Sequence, residues 1–468
     1  MGNKFLCFAL LAFVLGGCSL TPKLDDVKSV KSADIQALGF NVTEKNSTIN
    51  REWWKEYNDE VLNSLVDEAL KNNKDIEIAL LNISLSRASL AVKEADLYPS
   101  LLGQGGAVRT QTSKEAYTSG GRSSLFNDFS LSAILNYEVD LWGRVSSSNE
   151  AARAALLSSE ASADAVKLSL ASSVVDSYFA LVSLKEQLAI TEDTIATREK
   201  TLELTKIRFE EGADRESTMV QQQSLLTSAK ITKNNIEQQI AVASSALGIL
   251  LGRDVKDLLA DKSIELAVLP NDIVVPSDIP SSILANRPDV EASFQQLVSS
   301  NELIGAARAA YFPSLSLSGL LGFNSADVGD LLTSNAGTWN IGAKLAAPLI
   351  DFGRTSANVD IVKIQKDINA VNYEKTVLNA FREVYNALSS RTLLELNHKN
   401  ALDYEAAIAR TLELVQYEYE AGNINFLSVL DAERSLLGAK LARVQTHQSL
   451  LSSGVSLFKA LGGGWQKE

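Results

Sequence analysis

Apolar and polar residues alternate with a period of two in four short segments, two in each half of the chain. The segments lie at 129–138, 314–323 and 339–345, with a weaker one at about 101–110. Such alternation gives a strand one apolar face and one polar face. A sheet over a soluble core would show the same pattern, and strands of about ten residues also suit a membrane β-barrel. The pattern therefore predicts two β-hairpins and leaves their surroundings open.

A longer period follows each pair of strands, with apolar residues recurring at alternating steps of four and three. This spacing is typical of helices that pack along a heptad seam. No Pro or Gly occurs between 145 and 208, so one uninterrupted helix is expected there. The seam comprises Leu170, Val174, Ser177, Leu181, Leu184, Leu188, Thr191 and Ile195 in the first half, and Ile361, Ile364, Ile368, Val371, Leu378 and Tyr385, interrupted at Lys375 and Arg382, in the second.

One stretch of the chain occurs twice. Residues 203–230 read ELTKIRFEEGADRESTMVQQQSLLTSAK, and residues 413–440 read ELVQYEYEAGNINFLSVLDAERSLLGAK. In each copy a long helical pattern ends at a glycine, Gly212 or Gly422, and a second helical pattern begins a few residues later. Glycine suits this position because the chain beyond a helix end often needs a positive φ. Each copy is therefore predicted to form the tip of a helical hairpin.

The duplication extends to the order helix, β-hairpin, long helix, tip and returning helix. Pro99 and Pro313 end the two helices that precede the strands. The predicted layout is a signal peptide at 1–17, an extended leader at 18–51, a first repeat at 52–262 (strands about 100–140, helical hairpin about 145–252), a linker at 263–280, and a second repeat at 281–468 (strands about 314–349, helical hairpin about 353–461).

The N-terminus indicates a cell-envelope protein. A short apolar run after Lys4 is typical of a secretory signal and is too short to cross a bilayer. It ends in Leu-Gly-Gly-Cys, a pattern of bacterial lipoproteins in which Cys18 becomes the acylated first residue. Ser19 follows, and by the usual sorting rule it directs a lipoprotein to the outer membrane. This destination favours the membrane placement of the strands. The net charge of −13 argues against a nucleic-acid partner.

The layout and four short motifs resemble the TolC-like outer membrane factor family. The motifs are RPDVEA at 287–292, YFPSL at 311–315, VLDAER at 429–434 and LGGGW at 461–465. The resemblance is closest to the lipoprotein branch of multidrug efflux channels, the NodT type. It implies a mixed α and β membrane protein, in which three chains share a twelve-stranded barrel that a long periplasmic helical barrel continues. Four strands cannot close a barrel alone, since the smallest need about eight; the number three comes from the resemblance.

The resemblance also implies a function. The chain would be the passive exit duct of a tripartite efflux pump, with an inner-membrane transporter as the energised component. A periplasmic adaptor would dock on the tips around Gly212 and Gly422. Two alternatives stay open: an exit duct for protein secretion of the type I kind, and a structural coiled-coil lipoprotein. No enzyme, cofactor or metal is expected, because His398 and His447 lack metal-ligand spacing and no P-loop or nucleophile elbow occurs.

The resemblance implies that the second tip faces the pore axis and narrows the pore. Three copies of Asp431 would form an acidic ring that attracts cations, and Arg434 could pair with Asp431 at i,i+3. An Asp–Arg pair on an ordinary helix surface would have the same spacing. The candidate gate residues are Asp431, Arg434, Leu427 as an apolar constriction, Tyr419 as a further latch, and Ser428 and Thr218, which stand where some members carry Asp.

Overall fold

The computed structural model describes residues 20–24, 49–50, 52–115, 123–254, 256, 268–273 and 287–465. The predicted signal peptide, Cys18, most of the leader and most of the linker lie outside these ranges.

The described elements follow the predicted order of helices and strands. In chain order they are β1 (Ile49–Asn50), a 3₁₀ turn (Trp53–Tyr57), α1 (Glu60–Asn72), α2 (Lys74–Ala95), β2 (Ser100–Gln111), β3 (Leu125–Val139), α3 (Arg144–Glu210), α4 (Glu216–Leu251), α5 (Pro288–Ala309), β4 (Ser314–Ser325), two 3₁₀ turns (Val328–Asp330 and Ser334–Ala336), β5 (Gly337–Ala346), α6 (Arg354–Glu420), α7 (Phe426–Ala460) and β6 (Gly464–Trp465).

The two long helices, α3 and α6, have 67 residues each and begin in the same way. The Asp140 carboxylate accepts the backbone N–H of Ser146 at 2.8 Å, and the Asp351 carboxylate accepts that of Thr355 at 2.9 Å. Each aspartate thus satisfies N–H groups that have no partner within the helix. Neither helix contains Pro or Gly, so each continues without a break to its hairpin tip.

The strands form one antiparallel sheet in the order β2-β3-β4-β5. Its register pairs Leu135 with Gly319 and Gly319 with Ile341. Since directly paired residues point to the same side of a sheet, one face carries Leu131, Leu135, Leu317 and Ile341. The opposite face is mostly Ser, Asn, Gly and charged residues. Among the described residues, the outer edges of β2 and β5 pair with no further strand.

The sheet belongs to the first of two compact units, which consists of Asn82–Glu160, Ala292–Glu374 and the described leader residues 20–24. In this unit Trp142 stacks on Phe312, with ring centroids 4.7 Å apart. Its indole N–H also donates to the carbonyl of Pro313 at 2.9 Å. The aromatic contact joins the end of the first β-hairpin to the start of the second.

The second unit contains the described parts of Val30–Leu81, Ala161–Glu291 and Lys375–Glu468, and it holds the main hydrophobic core. Trp53 is fully buried and stacks on Phe458, with ring centroids 4.7 Å apart. Tyr57 packs edge-on against Phe179, and β1 pairs with β6. The start of the predicted first repeat is therefore fixed against the end of α7.

The two predicted seams differ in burial. Leu170, Val174 and Leu181 of α3 are buried, whereas Ile361 and Leu378 of α6 are 64% and 69% exposed. Among the described residues, therefore, nothing covers this part of the apolar face of α6.

Among the described helices, α3 alone contains a window long and apolar enough to cross a membrane, and half of that window is buried in the protein. A core helix has the same character.

Candidate functional site

The two hairpin tips have the same backbone geometry. Gly212 has φ +74° and Gly422 has φ +76°. In the first tip the N–H of Ala213 donates to the carbonyl of Arg208 at 2.7 Å, and in the second the N–H of Asn423 donates to that of Glu418 at 2.9 Å. These bonds satisfy carbonyls at the end of each long helix. Apart from the glycine and its chain neighbours, no described residue has an atom within 4 Å of a Cβ built on either glycine, so backbone conformation, not crowding, requires glycine there.

The returning helices start differently. The Asn425 side chain accepts the N–H of Ser428 at 3.3 Å and caps α7, whereas Arg215, at the matching position before α4, provides no side-chain cap. Asparagine is a strong N-cap residue because its short side chain reaches the free N–H groups. The start of α7 is therefore better fixed than that of α4.

Asp431 and Arg434 form the predicted i,i+3 ion pair, with an N–O distance of 3.0 Å. Their side chains are 58% and 70% exposed. Exposed pairs of this kind contribute at most about 1 kcal/mol, so the pair adds little to the stability of one chain. Both charges remain accessible to another surface.

Three of the other predicted gate residues lie close to the same turn. Leu427 is about half exposed on the first turn of α7, and Ser428 beside it is exposed. Tyr419, near the end of α6, packs against Phe426 at the start of α7, with ring centroids 4.9 Å apart. Thr218 lies on the other hairpin, in the first turn of α4. The sequence reasoning missed Phe426, although its place directly after the helix cap made it a candidate.

The candidate lipidation site, Cys18, lies outside the described residues, but the residues just after it are placed. The Thr21 hydroxyl donates to the Glu302 carboxylate at 3.0 Å, and the Asn301 amide donates to the carbonyl of Pro22 at 2.9 Å. The Arg308 guanidinium donates to the carbonyl of Leu20 at 3.2 Å. Helix α5 therefore holds the start of the leader, two residues beyond Cys18.

The two histidines, which lack metal-ligand spacing in the sequence, stack on each other between α6 and α7. The rings of His398 and His447 lie 4.9 Å apart at an interplanar angle of 19°. Arg443 lies one turn before His447 and contacts Glu186 of α3 at 2.8 Å and Glu405 of α6 at 2.7 Å.

Burial lowers the pKa of both imidazoles. The positive charge of Arg443 lowers both further, and that of His398 also lowers the pKa of His447. Asp272, and for His447 also Glu186, act in the opposite direction. The net effect favours the neutral form of both rings. Among the described residues, no group of three or more His, Cys, Asp or Glu side chains could hold a metal ion.

Comparison with known proteins places the chain in a family. The outer membrane efflux protein model matches residues 65–253 and 279–463. The toluene efflux pump outer membrane protein TtgC of Pseudomonas putida is 33% identical over 472 residues, which cover 100% of this chain and 97% of TtgC. The cation efflux system protein CusC of Escherichia coli is 32% identical over 467 residues, with 99% of each chain covered.

A solved structure agrees with both sequence matches. The crystal structure of the Campylobacter jejuni CmeC outer membrane channel is 33% identical, covers 96% of each chain and superposes with a TM-score of 0.88. The mixed helix-and-strand fold expected from the duplication is thereby confirmed. The chain belongs to the outer membrane efflux protein family.

Proposed function

We propose that this protein is the outer membrane exit channel of a tripartite efflux pump, a passive conduit from an inner-membrane transporter to the exterior. The observation that carries the proposal is the sheet, with one apolar face and two unpaired edges, within a chain of this family. A strand in the outer membrane needs an apolar face toward lipid and a partner on each side. A coiled-coil spacer would need neither.

We infer that three copies share one barrel of twelve strands. Each chain supplies four strands, and the free edges of β2 and β5 are suited to pair with β5 and β2 of neighbouring copies. The exposed apolar face of α6 supports the same assembly, because a second copy would cover it. Leu317 and Ile341 would then face lipid, while Ser316 and Asn340 would line the lumen.

The transporter and a periplasmic adaptor are the proposed partners, and the adaptor would dock at the tips around Gly212 and Gly422. The channel performs no bond chemistry and needs no cofactor. The names of TtgC and CusC refer to toluene and to cations, so we propose small molecules or ions as cargo. The transporter would make the selection, because the channel itself only conducts.

The tip of the second hairpin is the proposed gate. Three copies of Asp431 around the axis would concentrate negative charge at a narrow mouth and favour cations. Arg434 would hold each carboxylate in place, and Leu427 would add an apolar constriction. Tyr419, packed on Phe426, would brace the turn. Ser428 and Thr218 carry no charge, so the mouth would hold one acidic ring.

We also propose that Cys18 is acylated, with a chain such as palmitate, and anchors the leader in outer membrane lipid. The contacts of Thr21 and Pro22 with α5 support this role, because they would keep the acyl group close to the sheet. Mass spectrometry of the mature N-terminus should detect a lipid-modified Cys18. An unmodified N-terminus at another residue would contradict the proposal.

Single-channel recording tests the channel and its gate together. The purified protein should conduct in planar bilayers. Asp431→Ala combined with Arg434→Ala should raise the resting conductance and reduce the preference for cations. Leu427→Ala is the matched control, since it should raise conductance and leave charge selectivity nearly unchanged. Protein that inserts but conducts neither as the wild type nor in either gate variant would refute the channel. Wild-type conductance and selectivity in both variants would refute the gate.

A further inference from the structure

One row of apolar residues crosses the polar face of the sheet. The register pairs Leu102 with Ile134 and Ile134 with Leu320, so these three residues lie side by side on β2, β3 and β4. Directly paired residues point to the same side of a sheet, and neighbours along a strand point to opposite sides. Ile134 precedes Leu135 of the apolar face, and Leu320 pairs with Asn340. The apolar row therefore lies on the polar face.

The surroundings of the apolar row are polar or small. The two rows beside it on this face consist of Ser, Asn, Gln, Thr and Gly: Ser100, Asn136, Ser318 and Gly342 on one side, and Gln104, Ser132, Gly322 and Thr338 on the other. Leu102 is 59% exposed, and Ile134 and Leu320 are partly exposed. The apolar row thus interrupts a polar surface and presents apolar area to the solvent.

In the proposed barrel, the apolar row of each copy lies on the wall of the lumen. Twelve strands about 4.8 Å apart and tilted by about 40° form a barrel about 24 Å across between backbones. Side chains on opposite walls of such a barrel are too far apart to touch. The apolar row spans about 10 Å across its three strands. It therefore stays open to whatever passes through the channel.

We propose that Leu102, Ile134 and Leu320 form a transit site for small molecules with an apolar or aromatic part. The site rests on the proposed channel function, because the polar face must line the lumen. The length of the apolar row matches one substituted aromatic ring. Contact with the row removes apolar area of the molecule from water, which is favourable in proportion to that area. A shallow site binds weakly, as a channel requires for release.

The chemistry of the wall separates two classes of cargo. The names of TtgC and CusC refer to toluene and to cations. Neither the apolar row nor the two rows beside it contain a charged residue. A hydrated inorganic ion gains nothing from contact with leucine and isoleucine side chains, whereas an aromatic ring does. The apolar row therefore favours organic cargo over inorganic ions.

The test is protection of a cysteine placed beside the apolar row of the full-length protein in lipid. Ser318→Cys puts a thiol two residues from Leu320 on the same face. Apart from Cys7 in the predicted signal peptide, the sequence contains Cys18 alone, so the wild type gives the background. A charged methanethiosulfonate reagent modifies the thiol from the water-filled lumen. The rate is measured with benzyltrimethylammonium or tetramethylammonium, which have the same charge and differ by one aromatic ring.

The aromatic compound should protect the thiol better. Benzyltrimethylammonium should halve the rate at a concentration about tenfold lower than tetramethylammonium, because its ring buries apolar area against the apolar row. With Ile134→Asn and Leu320→Asn added, the two compounds should protect alike. Val108→Asn is the matched control: Val108 lies on the same face outside the row, paired with Asp128, so the tenfold ratio should persist. If the double variant fails to assemble, Leu320→Asn alone should lower the ratio.

The outcomes separate failure of the site from failure of the channel. Leu317→Cys provides the comparison, since Leu317 would face lipid. Modification of Ser318→Cys no faster than that of Leu317→Cys would overturn the barrel and with it the proposed function. Rapid modification of Ser318→Cys with equal protection by the two compounds would overturn the transit site alone. A tenfold ratio that persists without the apolar row would also overturn it, because the ring would then bind elsewhere.

Discussion

Replacing Gly422 with alanine isolates the backbone strain at the second tip. A Cβ there would have no neighbour within 4 Å, so no clash contributes. The cost comes from φ +76°, which costs an L-residue roughly 1–2 kcal/mol. Alanine also restricts the unfolded chain, which offsets about 0.4–1 kcal/mol. We expect a net loss of about 1 kcal/mol, confined to the turn.

Gly438 provides the matched control. It lies within α7, has no atom within 4 Å of a built Cβ, and does not have positive φ. Gly438→Ala should therefore stabilise α7 by about 0.5–1 kcal/mol. The expected change in stability has the opposite sign to that of Gly422→Ala, although the chemical change is the same.

Hydrogen exchange measures both effects locally. The Asn423 amide closes the second tip through its bond to the Glu418 carbonyl. In Gly422→Ala its exchange should become about fivefold faster, since about 1.4 kcal/mol corresponds to tenfold. Gly422→Asn should have a smaller effect, because Asn tolerates this conformation. Exchange in α7 should slow in Gly438→Ala. Equal changes of the same sign in the two alanine variants would refute the backbone explanation.

Three further predictions follow from the sheet, the leader and the histidines. Leu317→Arg should destabilise the barrel by about 2–4 kcal/mol, while Ser316→Arg should assemble and alter conductance; equal yields and stability of the two variants would contradict the assigned faces. Gly305→Val should release the leader from α5 and increase its cleavage by protease, because a Cβ there would contact the Thr21 hydroxyl; unchanged cleavage would mean that this contact does not hold the leader. The pKa of each stacked histidine is lowered by burial, so stability present above about pH 6.5 should be lost as pH falls below it. When the pH is lowered from about 7.5 to about 5.5, the Tm of His398→Gln should therefore fall less than the Tm of the wild type. An equal fall would refute the role of the histidine pair.

Local patterns predicted the elements because each depends on neighbouring residues. Alternation located the strands, and the repeated glycines located the tips, since a positive φ is a local requirement. Alternation also predicts which residues share a face of the sheet, as Leu135 and Ile341 illustrate.

Contacts between distant segments were harder to infer. The helices α3 and α6 have similar periodicity, yet Leu181 is buried and Leu378 is exposed. Periodicity shows that a helix has an apolar face, but it does not show which segment covers that face. His398 and His447 are both on helical patterns, and only the packing of α6 on α7 stacks them. Arg198 could have been noticed, since a charged residue at a seam position signals a buried charge. The sequence could not show that the Nε and Nη2 atoms of Arg198 lack hydrogen-bond partners among the described residues, because that depends on how other helices pack around it.

The unpaired edges of the sheet also have a genetic consequence in the proposed trimer. The barrel would close by pairing the β2 edge of each copy with the β5 edge of the next. A defective subunit that still folds presents the same two edges, so the barrel cannot exclude it. In a cell that makes normal and defective chains in equal amounts, only about one trimer in eight would contain three normal chains. A variant that assembles but does not open would therefore be dominant, whereas one that fails to pair its edges would be recessive.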